Sequence, residues 1–497
     1  MSAAASEAAP AIAGRTTSEN PFTRGFWLGS VDPRPFALFR ILFGLTLLHD
    51  LVDYGRDLPA FLTDSGILPR GAVHGIGTWS VFDLVGSVPA VAFLYAVGSL
   101  AVLAFTVGYR TRIATVVSWL FILSIHHRNY YLTDAGDDLA RILLFYAMFA
   151  DLGAAYSIDA RRASKPALAI PAFGPRLLQL HIALLYFVAA RLKVHFGWLH
   201  INVIYEVLQL DGFVRPLGHV LGAHPVICRV LTRSVLAMEF FFPFFALAPI
   251  QRKATRAIAV LLGLGVQLGI FFTLRMGVFT EVMLATEMLF LQPEWVDRAE
   301  TWVGKRWALA ASTRQSAVRA APRWAFGVYA LLAVQLAVAQ WDNFAGHRFP
   351  LPSWLQDERS ALDVVQPAGL FHVAYGIHRW TAPGELADGS RVDVLSVAAP
   401  LMQPRKPAIS ASRWNKFTFK EIEHPFRLAE LGAYLCRAYD ERAPGSSKLT
   451  DFTLIEDLYQ PQAEGSGPTP PQHRELWHQT CAEQTVEGAP VAQGRGN

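Results

Sequence analysis

The sequence predicts an all-α polytopic membrane bundle of about nine transmembrane helices, followed by a small α+β extramembrane domain. Three observations predict it. Of the 497 residues, 52% are hydrophobic and only 17% charged, with a mean hydropathy of +0.28, whereas soluble chains carry about 25% charged residues. Apolar stretches recur at lengths close to the roughly 20 helical residues that a bilayer core requires. Lys and Arg gather in alternate connections between those stretches, as topology signals do.

Residues 1–34 form the expected cytoplasmic tail: the stretch through Ala13 is rich in Ala and Ser, and no basic segment precedes a compact apolar core as in a cleaved signal peptide. The spans follow at Pro35 to Tyr54, Val88 to Gly108, Arg112 to His127, Asp138 to Tyr156 and Arg176 to Phe196. Leu231 to Ile250, Thr255 to Leu274, Gly277 to Gln292 and Trp324 to Trp341 complete the set, the eighth being short enough to tilt or bury. With the N-terminus inside, the inner connections hold Arg110 and Arg112, then Arg161, Arg162, Lys165 and Arg176, then Arg252, Lys253 and Arg256, and finally Arg298 to Arg323. The outer ones hold mainly Arg56, Arg70, Arg128 and Arg215. This asymmetry predicts a multi-pass protein of the cell's inner membrane, with a cytoplasmic N-terminus and an exported C-terminal domain. The net charge of +4 is therefore a topology signal, and no nucleic-acid partner is expected.

From Asp342 onward Pro, Trp and charged residues become frequent, and residues 342–497 read as the exported domain. Asp388-Gly389 before Arg391 to Val397 predicts a hairpin, and Leu428 to Tyr439 a helix. Gly465 to Pro468 and Glu483 to Asn497 read as flexible. The three cysteines make no CxxC or Cys/His zinc spacing, and His195 and His200 are five apart, so no metal is expected. Cys436 and Cys481 would lie in an oxidising compartment that permits a disulfide.

Ionisable residues in apolar spans cost about 2.5 to 3.5 kcal/mol each on insertion scales and are weighed individually. Lys193 lies near the outer end of the fifth span, sharing a helical face with Tyr186, Ala189, Ala190 and Gly197, while Arg191 is spaced to pair with His195. Two readings stand: a lysine beneath an apolar rim with cations nearby becomes a general base, and a lysine near a helix end snorkels to the interface. A second constellation, Asn129-Tyr130-Tyr131 through Asp137 and Asp138 to Arg141, either caps a helix and pairs internally or shapes an outward-facing site. Arg40, His49, Asp50, Glu239, Gln267 and Arg275 read chiefly as helix-helix contacts.

Three stretches carry a family resemblance. Asn129 to Asp138 followed by Ala155-Tyr-Ser-Ile-Asp159, Tyr186 to Lys193 with Trp198 beyond, and Met276 to Ala285 through Glu294-Trp295 resemble, in this order, the motifs of the horizontally transferred transmembrane (HTTM) domain. That domain is the membrane part of vitamin K-dependent gamma-glutamyl carboxylase. The resemblance implies a site open to the outer side, with Lys193 as the base that deprotonates a reduced vitamin K or menaquinol-like quinone, and with oxygen and carbon dioxide as co-substrates. Asn129, Tyr130, Tyr131, Asp137, Asp138, Arg141, Tyr186, His195, Trp198 and Gln267 would line it. An exported peptide or protein would be the acceptor. The chain departs from the carboxylase at Asn129 and Gln267, where the carboxylase has histidines, and in its shorter C-terminal domain, which around Ser412-Arg-Trp414 and Tyr434-Leu-Cys436 resembles that of bacterial members of the family. The alternatives are a non-catalytic membrane protein binding a lipid or partner, and a transporter. Transport is disfavoured by the lack of symmetric halves.

Overall fold

The computed structural model describes residues 20–73, 79–163, 167–210, 214–307, 317–318, 325–345, 377–402, 413–414, 416–417, 428–445, 447–460, 464–465 and 470–481. A helix stands in each of the apolar segments. They are α1 (Arg34–Arg56), α2 (Val88–Val107), α3 (Thr111–Arg128), α4 (Ala135–Ala147) and α5 (Phe173–His195). Then come α6 (Pro225–Ala246), α7 (Arg252–Thr273), α8 (Phe279–Thr286), which a 3-10 turn, Glu287–Phe290, prolongs, an additional helix α9 (Pro293–Trp307), and α10 (Ala325–Ala345). Four of them, α1, α2, α5 and α7, are long and apolar enough to cross a membrane by length and composition. Large apolar side chains on their flanks, among them Phe93, Leu100, Leu261 and Phe272, are exposed rather than packed. That is the surface expected of helices solvated by lipid.

Several boundaries differ from expectation. The tail expected through residue 34 carries a one-turn helix, Arg24–Leu28, and a short strand, Ser30–Val31, which pairs with Ala167–Pro171. Residues 1–19 lie outside the described part. The fourth span, expected from Asp138 to Tyr156, ends as a helix at Ala147, because the segment after it is held by side chains instead of by its own ladder. The buried Arg40 guanidinium donates to the carbonyls of Leu152, Ala155 and Tyr156 at 2.9, 3.3 and 2.6 Å. Asp159 then accepts from the Arg110 and Thr111 amides and the Thr111 hydroxyl, so it caps α3 from a distant loop. Gly108 between α2 and α3 has φ +70°, the left-handed turn that reverses the chain there. Helix α9 is amphipathic and charged, and is tied to the bundle by Arg34 with Asp297 and Glu300 and by Lys253 with Glu294.

The C-terminal part holds β1 (Ile377–Thr381), β2 (Pro383–Leu386), β3 (Arg391–Asp393), α11 (Leu428–Arg442), β4 (Leu449–Tyr459) and β5 (Gln472–Thr480). All pairings are antiparallel: β5 runs along one edge of β4, while β1 and β2 share the other, and β3 pairs outside β2. The Asp388-Gly389 turn forms the expected hairpin with Gly389 at φ +79°. Its second strand stops at Asp393, however, and Val394–Ala398 continues as a helical turn that buries Val394, Leu395 and Ala398. Of the stretches expected to be flexible, 465–468 and 483–497, Gly465 alone is among the described residues, and it takes a φ of +85°.

A disulfide joins Cys436 of α11 to Cys481 after β5, closing a loop of sequence separation 45. It staples the helix to the last strand. By loop entropy alone such a bond contributes about 4 kcal/mol. Cys481→Ser is expected to speed proteolysis of this domain markedly, while an unchanged digestion rate would show the staple to be redundant.

Candidate functional site

All but one of the residues singled out by sequence fall into two clusters, both toward the end of the bundle on which the C-terminal domain sits. The first lies between α5 and α6. The Lys193 ammonium forms an ion pair with the Glu239 carboxylate, both side chains being buried. The ammonium also stands 4.9 Å from the centroid of the Trp198 ring, and Trp198 packs with Ala190, Val203 and Leu236. Cations near Lys193 were expected, on a face of mostly small residues. The structure puts a carboxylate there instead, because two opposite charges in an apolar helix interface stabilise each other where either alone would be costly. The second oxygen of Glu239 has no partner among the described residues.

Two turns earlier on the same face, the Tyr186 hydroxyl accepts from Gln267 Nε2 at 3.1 Å and donates to Glu287 Oε1 at 3.3 Å. The Tyr186 ring lies 4.3 Å from that of Phe242, one turn beyond Glu239 on α6. Lys193, Tyr186, Trp198 and Gln267 are thus buried in one region built from α5, α6, α7 and the turn after α8. His195 is exposed and packs edge-on to Phe196 at 5.3 Å, so it does not belong to this cluster.

The second cluster surrounds the N-terminus of α4. Asp134 caps the helix by accepting from the Gly136 and Asp137 amides, and Asp137 returns a bond to the Asp134 amide at 2.7 Å. Asp138 pairs with Arg141 at 3.0 Å, as expected. Asp137 does not. Its fully buried carboxylate takes Arg413 at 2.8 Å and Lys416 at 3.2 Å, both from the C-terminal domain. Arg413 also pairs with Asp50 of α1 and lies 3.7 Å over the Tyr54 ring. The Trp414 indole donates to Asp57 at 2.7 Å and its ring packs 4.9 Å from Phe61. Burial and Arg413 pull the Lys416 ammonium down, but Asp134, Asp137 and Asp50 outweigh them and hold it above its ordinary value. A four-residue pitch favoured Arg141 as the partner of Asp137. A guanidinium that also meets Asp50 satisfies two buried carboxylates at once.

The remaining candidates sit around this plug. Asn129 is buried and donates to the Phe61 carbonyl at 3.2 Å, its own amide oxygen having no partner among the described residues. Arg141 donates to His126 Nδ1 at 2.7 Å, which puts the proton of a neutral His126 on Nε2. Tyr131 is buried against Phe417 at 6.1 Å, whereas Tyr130 is half exposed. A separate clasp joins the C-terminal domain near the first cluster: Glu464 accepts from Asn202 at 3.0 Å and from Arg229 at 2.5 Å. Those two hydrogen bonds hold its carboxyl below the usual range.

Sequence reasoning treated Glu239 and Asp50 as helix-helix contacts and gave Arg413, Lys416 and Glu287 no role. The signal for Glu239 was present: a carboxylate and an ammonium in neighbouring apolar spans, each in need of a partner. For Arg413 there was none beyond its place in the Ser412-Arg-Trp414 stretch, since its partners are 276 and 363 residues away.

Chemically, the first cluster offers a buried ammonium–carboxylate pair beside an aromatic ring and apolar side chains. The second offers an interlock between domains. No curated protein and no solved structure matches the chain. The HTTM domain family model matches residues 29–295, a region that contains α1 to α8 and both clusters' membrane-domain residues and more than half of the sequence. This chain is a multi-pass membrane protein that belongs to the HTTM domain family.

Proposed function

We propose that the protein is a carboxylase-like membrane enzyme that acts on a reduced, lipid-soluble quinone, with Lys193 as base. The observation that carries this reading is the buried Lys193–Glu239 pair beside Trp198. A lysine acts as a base only as the free amine, and Glu239 is the group to which the ammonium can hand its proton. The neutral amine then takes a proton from a ring hydroxyl. Ala190, Val203, Leu236 and Trp198 supply a water-poor wall against which a flat ring packs. A quinol bound there would supply the electrons for oxygen chemistry, one oxygen atom entering the epoxide and the other leaving as water; carbon dioxide would serve as co-substrate if an exported peptide is carboxylated. Purified protein is expected to convert a menaquinol to its epoxide and to carry copurified quinone detectable by mass spectrometry. A preparation without either would remove the enzyme reading.

A second reading, a non-catalytic protein that holds a lipid or an exported partner, is favoured by Asn129 and Gln267. Neither amide can exchange protons as histidines at those positions would.

The same proposal puts nine crossings in the inner membrane, the N-terminus in the cytoplasm and the C-terminal domain outside, so that Lys193 opens outward. Ala387 is exposed in the β2–β3 hairpin. An Ala387→Cys variant should react with an impermeant maleimide in intact cells. Labelling only after lysis would invert the topology.

A further inference from the structure

We infer that Tyr186, Gln267 and Glu287 form a binding site for a hydroxyl group, deeper in the bundle than Lys193, and that this site selects the reduced over the oxidised form of a ring-bearing ligand. The inference rests on the quinol reading above and adds which residues tell the two redox forms apart.

The three side chains come from α5, α7 and the turn after α8 and are exposed by only 3, 2 and 1%. Gln267 donates to Tyr186, and Tyr186 donates to Glu287, so the hydrogen-bond chain has a direction. Two oxygen positions stay open at its ends: Gln267 Oε1 and Glu287 Oε2 are buried without a partner among the described residues. Buried polar atoms of this kind are rare and costly unless a ligand or water completes them. No Lys or Arg among the described residues pairs with Glu287, which distinguishes the node from the charge pair at Lys193.

The backbone around the node is cut to fit. A Cβ at Gly263 of α7 would fall 2.2 Å from Glu287 Oε1, so any larger residue there would displace the carboxyl group. The Phe242 ring, tilted by 42° against the Tyr186 ring at 4.3 Å, supplies an apolar surface next to Tyr186.

The chemistry of those oxygens fixes the ligand class. The amide oxygen of Gln267 only accepts, and so requires a donor. A hydroxyl donates one hydrogen bond and accepts others: its proton completes the Gln267 amide oxygen, and its oxygen accepts from Glu287 when that carboxyl is protonated. A carbonyl only accepts and leaves Gln267 Oε1 buried and unmet. Sites built to bond a hydroxyl reject analogues lacking it far more strongly than apolar pockets reject a change of shape. Water shares the hydroxyl chemistry, and the test separates the two sources.

The experiment uses the full-length protein in detergent under nitrogen. The probe is a naphthoquinone with a single isoprene tail, presented either oxidised or pre-reduced, and binding is followed by equilibrium dialysis. The wild type is expected to hold the reduced form about tenfold more tightly or better. Gln267→Leu, which removes the amide oxygen, and Gly263→Ala, which pushes on Glu287, should each weaken the reduced form about tenfold and leave the oxidised form within about threefold. Equal binding of both forms by the wild type identifies a node filled by water only and overturns the inference, while leaving the quinone reading intact. Binding of neither form overturns both. The wild-type comparison needs no variant, so a substitution that fails to fold does not remove the test.

Discussion

Arg413→Met is expected to destabilise the whole chain by about 3–5 kcal/mol, read as a lowered unfolding midpoint in detergent. Arg413 is the guanidinium that meets Asp50 and Asp137 together, and all three side chains are nearly inaccessible. Methionine fills comparable space but leaves Asp50 without its counter-charge, and a stranded buried charge costs far more than a pair contributes. Adding Asp50→Asn to the same chain should recover part of the loss, since the two effects share one contact. An unchanged midpoint in the single variant would mean that water reaches Asp50 and that the interlock is ornamental.

Lys193→Ala is expected to lower epoxide formation by about 10² to 10⁴, the usual range for a positioned general base. Glu239→Gln keeps the shape but cannot take the proton, and should fall in a similar range. The double variant is the sharper test. If Lys193 and Glu239 act as one proton-exchanging unit, removing both costs little more than removing either. Multiplied losses would mean that Glu239 merely neutralises the lysine and that another group receives its proton.

Much of the bundle was legible because the bilayer imposes length and polarity on its helices. Each apolar segment contains a helix, and α5 differs from its expected bounds by three residues at the start and one at the end. The fourth segment misled because hydropathy continues past Ala147 while the backbone leaves the helix to meet Arg40. Helix α9 escaped notice because it is too charged for a span, yet its acids Asp297 and Glu300 pair with Arg34 and Glu294 pairs with Lys253. At the candidate site, helical spacing correctly put Lys193 and Tyr186 on one face. It had no means of naming Glu239, Gln267 and Glu287 as their partners, because periodicity orders residues along one helix and says nothing of which helix lies opposite. The same limit hid Arg413, whose contacts cross the boundary between two parts of the chain.

The span between Arg413 and its carboxylates also sets an order of events during biosynthesis. Asp50 and Asp137 are made 363 and 276 residues before their guanidinium. At roughly 5–20 residues per second, Asp50 waits about 20–70 s for its partner. Throughout that interval the bundle carries acids with no cation from the C-terminal domain, and it acquires its final stability only when the far end of the chain arrives. A ribosome that stalls before it reaches Arg413 would therefore leave a membrane domain that has been inserted but not locked, a ready substrate for membrane quality control.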